Sequence, residues 1–387
     1  RQIHRIDRTI NAIAFSPFTQ RWLAVGAGST ELFNTNILYS DASGANWTSA
    51  AVSTAATPVI TLNTCIWNQL PTPATISSTG RWLAGGTRNN SDDVTIANSA
   101  CIYISTDVSG AATPWTPITG TGAILSQVYS IAYNGRVWIA AGAPATDSGS
   151  ASTLMRTTTD PTGATGWQGI AGTNASEGGF DTAARSITWN ADQQMWIATG
   201  ESSLSSMIYS LDVSGGAGTW RTVRESNSLC FSGEGTGIAF TGDKWFASGE
   251  GNKQIVATTG VNAAVAATAP WSTVSHATAL TRASDITYTG RRLIATGAGA
   301  GSTTGVILST DNTGASWSAA PSTGFNDALG GGTSVNFEAS YDGVGRIVAT
   351  GRSTATNTLS VSTDGGATWT APSTQFTSTN TIENPNQ

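Results

Sequence analysis

Two carboxylates, Asp285 and Glu338, are the first candidates for chemistry, because each directly precedes a short segment that ends in tyrosine. The matching positions elsewhere in the chain hold small, uncharged residues: Ala12, Thr64, Ser130, Ser186 and Gly237. Two carboxyl groups held ~5–9 Å apart can hydrolyse a glycosidic bond. Crowding of like charges would raise one pKa, as an acid catalyst requires. The alternative is a pair bonded to backbone or water at a channel rim.

Arginines form the second group of candidate site residues. Arg185 lies two residues before Ile187, at the start of an apolar segment, so its side chain is expected near the mouth of a channel. Arg282 and Arg352 are further candidates for a ligand-binding face. The alternative for each is a solvated or salt-bridged loop arginine.

Other catalytic chemistries have little support. The only histidines are His4 and His276, so we expect neither a histidine-based triad nor a histidine-rich zinc site. The cysteines Cys65, Cys101 and Cys230 lack metal-binding spacing and are interpreted as small buried hydrophobic residues. We therefore expect no cofactor and no bound metal.

The amino-acid composition argues against two classes of binding partner, nucleic acids and membranes. Charged residues make up 11% of the 387 residues, the net charge is −6, and no cluster of lysine and arginine occurs, so nucleic-acid binding is not expected. No apolar run is long enough to cross a bilayer, so membrane insertion is not expected either. A surface rich in Gly, Ala, Ser and Thr is typical of secreted or virion-coat proteins, which favours an extracellular or virion-surface location. The chain begins at Arg1, so we expect that a leader or an upstream domain is missing.

These residues lie within a repeat of about 54 residues. Each unit has a first strand with an apolar, a small and an aromatic residue, and then a second strand that ends in glycine. The aromatic residues of the first strands are Phe15, Trp67, Tyr133, Trp189, Phe240, Tyr288 and Tyr341. The second-strand glycines are Gly26, Gly86, Gly142, Gly200, Gly249, Gly297 and Gly351.

A polar turn and a tryptophan follow the third strand of each unit. The turn aspartates are Asp41, Asp107, Asp160, Asp212, Asp311 and Asp364, and Gly260 replaces the aspartate in the fifth unit. The tryptophans are Trp47, Trp115, Trp167, Trp220, Trp271, Trp317 and Trp369. A carboxylate that accepts N–H groups of its own turn fixes the hairpin, glycine supplies a positive φ, and tryptophan packs into the neighbouring unit. The aspartates are therefore predicted to be structural.

The repeat predicts an all-β fold, a seven-bladed β-propeller of four-stranded antiparallel blades. Residues 1–9 are expected to be an N-terminal extension, residues 10–374 the propeller and residues 375–387 a C-terminal tail. The expected blades span approximately 10–50, 62–118, 128–170, 184–223, 235–274, 283–320 and 334–374.

The turn Ser362–Trp369 resembles the Asp-box, or bacterial neuraminidase repeat, in full through Ser362, Asp364, Gly366 and Trp369. The resemblance covers residues 10 to about 374, and similar runs occur in Asp-box repeat proteins of large viruses and phages. It implies a sialidase-like propeller whose Asp-boxes lie opposite the working face. The arginine motif of sialidases is not matched, because the nearest string, His4–Asp7, lacks the aromatic residue and the proline.

Three functions follow from these observations. The first is a non-catalytic module, structural or ligand-binding, on a virion, fibre or cell surface, with a protein partner or a surface glycan as the ligand. The second is a sialidase-like glycoside hydrolase that uses Asp285 and Glu338. The third is an assembly factor for a larger protein complex. Fold alone does not choose among them.

Overall fold

The computed structural model describes residues 10–16, 19–26, 37–40, 47–50, 61–69, 80–88, 99–105, 115–158, 161, 166–173, 179–223, 230–258, 271–275, 280–299, 305–311, 314, 316–319, 332–338, 346–351 and 359–370.

The described strands form antiparallel sheets in chain order, and six of these sheets are four-stranded blades. Blade 1 contains β1 (Ile10–Ser16), β2 (Arg21–Gly26), β3 (Ile37–Ser40) and β4 (Trp47–Ser49). Blade 2 contains β5 (Leu62–Gln69), β6 (Gly80–Gly86), β7 (Ile102–Ser105) and β8 (Thr116–Pro117). Blade 3 contains β9 (Leu125–Tyr133), β10 (Trp138–Pro144), β11 (Leu154–Thr157) and β12 (Gln168–Gly169).

The second half of the chain continues the pattern. Blade 4 contains β13 (Ala183–Asn190), β14 (Met195–Glu201), β15 (Met207–Ser210) and β16 (Trp220–Thr222). Blade 5 contains β17 (Gly235–Phe240), β18 (Trp245–Gly249), β19 (Ile255–Ala257) and β20 (Ser272–Thr273). Blade 6 contains β21 (Leu280–Tyr288), β22 (Arg292–Gly299), β23 (Gly305–Asp311) and β24 (Ser318–Ala319). The last sheet contains β25 (Gly332–Glu338), β26 (Arg346–Gly351) and β27 (Leu359–Ser362).

The all-β propeller of four-stranded antiparallel blades is confirmed, but the described residues form six such blades and not the predicted seven. The seventh unit forms a three-stranded sheet. After Trp369 the chain pairs with β27 only at Val361 and Thr370, through two backbone hydrogen bonds of 2.8 Å. One bridging pair is too short to make a fourth strand.

Helical structure in the described residues is confined to two 3₁₀ turns, Thr121–Ala123 and Thr146–Ser148. Within the same ranges, no helix has the length and apolar character needed to cross a membrane. The domain boundaries at residues 9 and 374 fall outside the described residues and stay predictions.

The sheets pack face to face around an axis, which their first strands surround. Each first strand contacts the first strand of the next sheet, in the order β1, β5, β9, β13, β17, β21 and β25. β25 in turn contacts β1, so the circle is closed by packing of the last sheet on blade 1. Ile10, Ile13, Trp22 and Leu38 of blade 1 form one buried cluster with Val348 of β26.

Every hydrophobic cluster in the described residues lies between two consecutive sheets. Leu83 and Ile102 of blade 2, for example, pack with Val128 and Trp138 of blade 3. A four-stranded sheet has two apolar faces, and neither is buried until neighbours cover both. Apolar burial of this kind stabilises by ~25 cal/mol per Å², so the ring as a whole supplies the core. The unit that folds is therefore the closed ring.

Cross-strand aromatic pairs stand at the end of the first hairpin in blades 1 to 5. The ring centroids of Phe15 and Trp22 are 4.9 Å apart, and those of Tyr133 and Trp138 are 4.5 Å apart. Such pairs contribute ~0.5–1.5 kcal/mol beyond their buried area. They fix the register of the two innermost strands, which also sets the position of every side chain at the opposite end.

The first strand of the last sheet is not the one that the sequence predicted. β25 runs from Gly332 to Glu338, and Phe337 lies opposite Ile347, in the place assigned to Tyr341. Tyr341 lies outside the described residues. The prediction was four residues out of register because Phe337 and Tyr341 both fit the aromatic position of a first strand. The alternation of residues along a strand does not by itself determine how that strand pairs with its neighbour when the connecting loop can vary in length.

The turn at Ser362–Trp369 is held by its own side chains. Asp364 Oδ1 accepts the backbone N–H groups of Ala367 at 3.0 Å and Thr368 at 2.9 Å. Gly366 N–H donates to Ser362 Oγ at 2.7 Å, and Trp369 Nε1 donates to the Gly366 carbonyl at 3.2 Å. Partial burial raises the pKa of the Asp364 carboxyl, but the bonds from Thr368, Ser362 and Ala367 outweigh it and lower that pKa to about 2.

The equivalent turn of blade 4 uses fewer bonds for the same purpose. Asp212 Oδ1 accepts the N–H of Ser214 at 2.9 Å, and Trp220 Nε1 donates to the Gly215 carbonyl at 3.2 Å. Gly215 has φ +57°, and a Cβ there would lie 2.5 Å from Ile139 Cδ1 of blade 3. Glycine is required because the turn docks onto the preceding blade. The tryptophan then closes the edge of that interface.

The remaining turn residues are only partly described. Asp41, Asp107 and Asp160 lie outside the described residues, and Asp311 ends β23 without a described side chain. Trp115, Trp167, Trp220, Trp271, Trp317 and Trp369 are buried, whereas Trp47 is partly buried against the blade 1 cluster. The structural role of the turns is therefore supported at Asp212 and Asp364.

Asp364→Ala is expected to lower the free energy of unfolding by about 1 kcal/mol at neutral pH, because the turn loses its carboxylate acceptor. The folded pKa of about 2 lies below the ordinary value of 3.8, so the contribution is present above that value. It is lost as the pH falls through 2. Urea unfolding at pH 7, 4 and 2.5 measures this, with Thr363→Ala as the control. A gap that stays constant down to pH 2.5 would contradict the assignment.

Candidate functional site

One face of the propeller carries the residues with the most varied chemistry. We call it the upper face: the end at which the first strand of each sheet begins and the second strand ends. The lower face carries the first hairpins and the turns around Asp212 and Asp364. Arg185 and Arg282, predicted for the ligand face, both lie at the upper face, whereas Arg352 lies outside the described residues.

A β-bulge occurs at the same place in all seven first strands, close to the upper face. The pairing with the second strand skips one residue, such as the residue between Ile10 and Ala12. The extra residues are Asn11, Asn63, Tyr129, Arg185, Thr236, Ser284 and Thr333. A bulge re-aims the side chain that it carries, and bulges are frequent near functional sites.

Three of the bulge residues join their blade to the next one in the same way. Asn11 Nδ2 donates to the Leu62 carbonyl at 2.8 Å, and Asn63 Nδ2 donates to the Val128 carbonyl at 2.9 Å. Thr236 Oγ1 donates to the Ala283 carbonyl at 2.6 Å. Each acceptor is the residue just before the bulge of the next blade. The side chain at the bulge therefore forms a hydrogen bond to the next blade in these three cases.

Blades 3 and 4 depart from this pattern, because their bulge residues are Tyr129 and Arg185. The Arg185 guanidinium carbon lies 4.3 Å from the centre of the Tyr129 ring. Tyr129 in turn donates its hydroxyl to Gln127 Oε1 at 2.7 Å. A cation over an aromatic face is stabilised by ~0.5–2 kcal/mol, depending on its exposure. In these two blades larger side chains, which contact each other, replace the small polar bulge residues.

Five charged side chains continue from Arg185 across blades 4 to 6. Glu234 connects two arginines: its Oε2 lies 2.5 Å from Arg185 Nε, and its Oε1 accepts Arg282 Nη2 at 2.6 Å. Glu201 Oε2 is 3.7 Å from Arg185 Nη2, and Glu250 Oε2 is 3.8 Å from Arg282 Nε. We call these five residues, Glu201, Arg185, Glu234, Arg282 and Glu250, the polar row.

Burial divides the polar row into an inner and an outer part. The Glu234 side chain is only 10% exposed, whereas those of Glu201, Glu250 and Arg282 are between 44% and 48% exposed. Burial by itself would lower the pKa of Arg185, but the facing Glu234 carboxylate and Tyr129 outweigh it and raise that pKa. The exposed part of the row has a fixed order of acceptor, donor, donor and acceptor: Glu201, Arg185, Arg282 and Glu250.

Backbone pairing holds the row in place. Glu201 forms a bridge with Glu234, and Glu250 forms a bridge with Arg282, each across the gap between two blades. The loop beside Glu201 is fixed as well, because Ser202 Oγ accepts the N–H of Leu204 at 3.0 Å. The row thus belongs to a rigid part of the upper face.

A separate ion pair joins blades 2 and 3 on the same face. Arg88 Nη1 donates to Asp147 Oδ1 at 2.9 Å and to the Gly122 carbonyl at 3.2 Å, and Arg88 Nη2 pairs with Asp147 Oδ2. This hydrogen bond lowers the pKa of Asp147 and raises that of Arg88. Arg88 is buried, so the pair contributes to the packing of the two blades and does not extend the polar row.

The two carboxylates proposed for catalysis do not hold equivalent positions. Asp285 lies opposite Thr296, and the residue in the same place on the last sheet is Ser334, opposite Thr350. Glu338 lies opposite Arg346, four residues further along β25. At ~3.3 Å per residue, the two positions are offset by ~13 Å along the strands, beyond the ~5–9 Å that such a pair needs. The predicted equivalence of the two positions is therefore wrong, for the same reason as the misplaced first strand, and the catalytic pairing stays a prediction without that support.

Asp285 instead faces a glycine of the preceding blade. A Cβ added to Gly237 would lie 2.8 Å from Asp285 Oδ1 and 2.9 Å from Ile286 N. In blade 3 the equivalent residue, Ser130, accepts the N–H of Ile187 in the next blade at 3.3 Å. The Asp285 carboxylate thus occupies the space that a side chain fills in blade 3, which makes Asp285 and Gly237 a complementary pair.

Gly237→Ala is expected to lower the free energy of unfolding by about 2 kcal/mol, because the added methyl group overpacks a buried site. The loss should be smaller in an Asp285→Ala background, in which one of the close atoms is gone. Ser186→Ala, at the equivalent position of blade 4, is the control and should have little effect. Thermal unfolding of the four variants measures this; equal losses in both backgrounds would contradict the pairing.

Sequence reasoning found Arg185 and Arg282 but missed Glu234, Tyr129, Glu201 and Glu250. A signal was present in the repeat. Glu234 and Arg282 hold equivalent positions, each just before the residue that faces the second-strand glycine. Opposite charges at equivalent positions of adjacent blades come together, because neighbouring blades present those positions to each other.

The described ranges hold no candidate metal site. There, no three side chains among His, Cys, Asp and Glu come together in an arrangement that could hold a metal ion. Cys65, Cys101 and Cys230 are buried, as predicted, and burial raises the pKa values of Cys65 and Cys101.

Comparisons with known proteins support the fold. No protein-family model matches the chain, and no curated protein matches it. The solved structure of the Dos1 propeller is 11% identical with a TM-score of 0.53, over 97% of this chain and 85% of that one. A structure from a study of two prolyl endopeptidases is 9% identical with a TM-score of 0.50, over 96% of this chain and 49% of that one.

A more distant similarity is to the GH74 enzyme of Niastella koreensis, at 13% identity and a TM-score of 0.35, over 94% of this chain and 62% of that one. This chain therefore spans about half the length of the endopeptidase chain and under two thirds of the GH74 chain. Identities this low show a β-propeller and nothing about activity. Membership of the Asp-box family stays a prediction.

Proposed function

We propose that this chain is a non-catalytic β-propeller module that binds a partner through its upper face. The observation that carries the proposal is the polar row. In blades 3 and 4 a tyrosine and an arginine replace the small polar bulge residues, and Arg185 begins a row of charged groups that crosses blades 4 to 6. Three of these side chains are nearly half exposed. Functional residues on propellers are carried by the ends of a rigid scaffold, and this sector has that character.

A non-catalytic role is favoured over glycoside hydrolysis by the separation of Asp285 from Glu338. The sequence offered these two residues as its acid and base, and their strand positions are too far apart for that task.

We further propose that the last sheet acts as the seventh blade of the ring. Its first strand contacts those of blades 1 and 6, and Val348 packs on the apolar face of blade 1. The bridge at Val361 and Thr370 stands where the other blades have their fourth strand. Residues after Thr370 lie outside the described ranges.

A virion, fibre or cell surface remains the proposed location, with an assembly role as the alternative. The support is the low content of charged residues in the sequence, 11%, and the abundance of small polar ones. Finding the chain at stoichiometric copy number in particles or medium would support the surface role. Co-purification with an intracellular complex would replace it.

The binding function is tested by screening the purified chain on a glycan array and against surface proteins of its source, followed by mass spectrometry of what is bound. We expect binding without any change in ligand mass. A loss of sugar mass that Asp285→Ala abolishes would overturn the non-catalytic proposal.

A further inference from the structure

Within the proposed binding function, on which this inference rests, we propose that the polar row is a site for an uncharged, polyhydroxylated ligand, a neutral oligosaccharide. The row presents carboxylate acceptors at its two ends, Glu201 and Glu250, and the guanidinium donors of Arg185 and Arg282 between them. Hydroxyl groups both donate and accept hydrogen bonds, so adjacent sugar hydroxyls can satisfy the two kinds of group in turn.

The charge of the row argues against an anionic ligand. Three carboxylates face two guanidinium groups, and Glu234 already binds both arginines at 2.5 and 2.6 Å. The positive charge of the two guanidinium groups is therefore largely balanced by the buried Glu234 carboxylate. A ligand carboxylate or sulfate would also meet Glu201 and Glu250 on either side of the arginines. Like charges at such distances raise the free energy of binding, so an acidic sugar is disfavoured.

The outer groups nevertheless keep hydrogen-bonding capacity. The contacts of Glu201 and Glu250 with the arginines, 3.7 and 3.8 Å, are longer than a hydrogen bond. Each guanidinium group carries more N–H donors than a single Glu234 oxygen accepts. Charged groups that are oriented but incompletely hydrogen-bonded form strong bonds with neutral hydroxyls.

The apolar content of the described upper face argues against a large protein interface there. Such interfaces have an apolar core of aromatic or aliphatic anchors. Here Leu204, which is 65% exposed, is the one exposed large hydrophobic residue of the upper face within the described ranges, because Leu211 belongs to the lower face. Leu204 is large enough to contact the apolar face of one sugar ring while the hydroxyl groups of that sugar bind the polar row.

The test is a binding panel of neutral, sialylated and sulfated oligosaccharides, measured by calorimetry with the full chain. We expect neutral members to bind and acidic members to bind at least about tenfold more weakly. Binding of a neutral sugar should change little between 50 and 500 mM salt, because no ligand charge is screened.

Single substitutions test whether a neutral sugar binds at the polar row or elsewhere on the surface. Arg282→Gln and Glu250→Gln should each weaken neutral-sugar binding by about tenfold, and Glu201→Gln should do the same from the other end of the row. Arg221→Gln and Asp192→Asn, exposed on the lower face, are the matched controls and should bind like the parent. Melting temperatures confirm that each variant is folded.

Three results would overturn the inference. Preferential binding of acidic sugars, strengthened by Glu250→Gln, would show that the arginines recognise an anion; the binding function would then stand with a different ligand. Absence of any sugar binding would remove this ligand class, and the protein screen would decide the binding function separately. Neutral-sugar binding that only the lower-face variants weaken would overturn both.

Discussion

Glu234→Ala is expected to lower the free energy of unfolding by about 3 kcal/mol, because it leaves two guanidinium groups without the carboxylate between them. Glu234 is 10% exposed, and the Arg185 side chain that it contacts at 2.5 Å is 25% exposed. Removing one member of a buried ion pair costs more than the pair contributes, since the remaining charge stays in a region of low dielectric. Arg282 is more exposed and is expected to contribute less of this loss.

The matched control is Glu201→Ala. Glu201 is 44% exposed and lies 3.7 Å from Arg185, so its removal should cost less than about 1 kcal/mol. Urea unfolding of both variants at pH 7 measures the difference. Equal losses in the free energy of unfolding would mean that Glu234 stabilises the fold no more than a surface carboxylate does. Glu234 could then not be the buried group that holds the two arginines of the polar row.

Val348→Asp is expected to be the most damaging single change, with a loss of about 4 kcal/mol or failure of the ring to close. Val348 is 1% exposed and packs with Ile10, Ile13 and Trp22, which belong to the other end of the described chain. A carboxylate at this position has no cationic partner in the cluster. Blade 1 would then expose an apolar face that is now buried.

A double-mutant cycle distinguishes ring closure from damage to the last sheet alone. Val348→Ala and Ile13→Ala should be coupled by about 1 kcal/mol, because the two residues share one cluster. Val348→Ala and Val256→Ala should be additive within about 0.5 kcal/mol, because Val256 lies in the cluster between blades 4 and 5. Coupling in neither pair would contradict closure by packing of the last sheet on blade 1.

The strands and the propeller could be predicted because they rest on local rules. An apolar, small and aromatic pattern followed by a strand ending in glycine is a period-two signal, and its recurrence defines the blade. Hydrogen bonds within the turns of Asp212 and Asp364 are also local, since donor and acceptor lie within four residues of each other.

Register in the last sheet could not be predicted in the same way. Phe337 and Tyr341 both fit the aromatic position, and the choice between them depends on the length of the hairpin loop that follows. The expectation that Asp285 and Glu338 meet depended on this choice. A shift of four residues preserves the face on which side chains lie but moves them far along the strand.

The polar row could be predicted only in part, because it depends on contacts between blades. Arg185 and Arg282 were recognised as arginines near the start of a first strand. Their partner Glu234 stands in a segment with no pattern of its own, and Tyr129 occupies a bulge that the alternation of a strand does not reveal. Aligning the repeats column by column would have exposed these positions as departures from small polar residues.

The most direct test of the central claim compares two double variants for every ligand that the parent chain binds. One carries Arg282→Gln and Glu250→Gln in the polar row, and the other carries Arg221→Gln and Asp192→Asn on the lower face. Binding by calorimetry should fall at least tenfold in the first variant and stay unchanged in the second. Loss in the second variant with full binding in the first would show that the functional surface is the lower face.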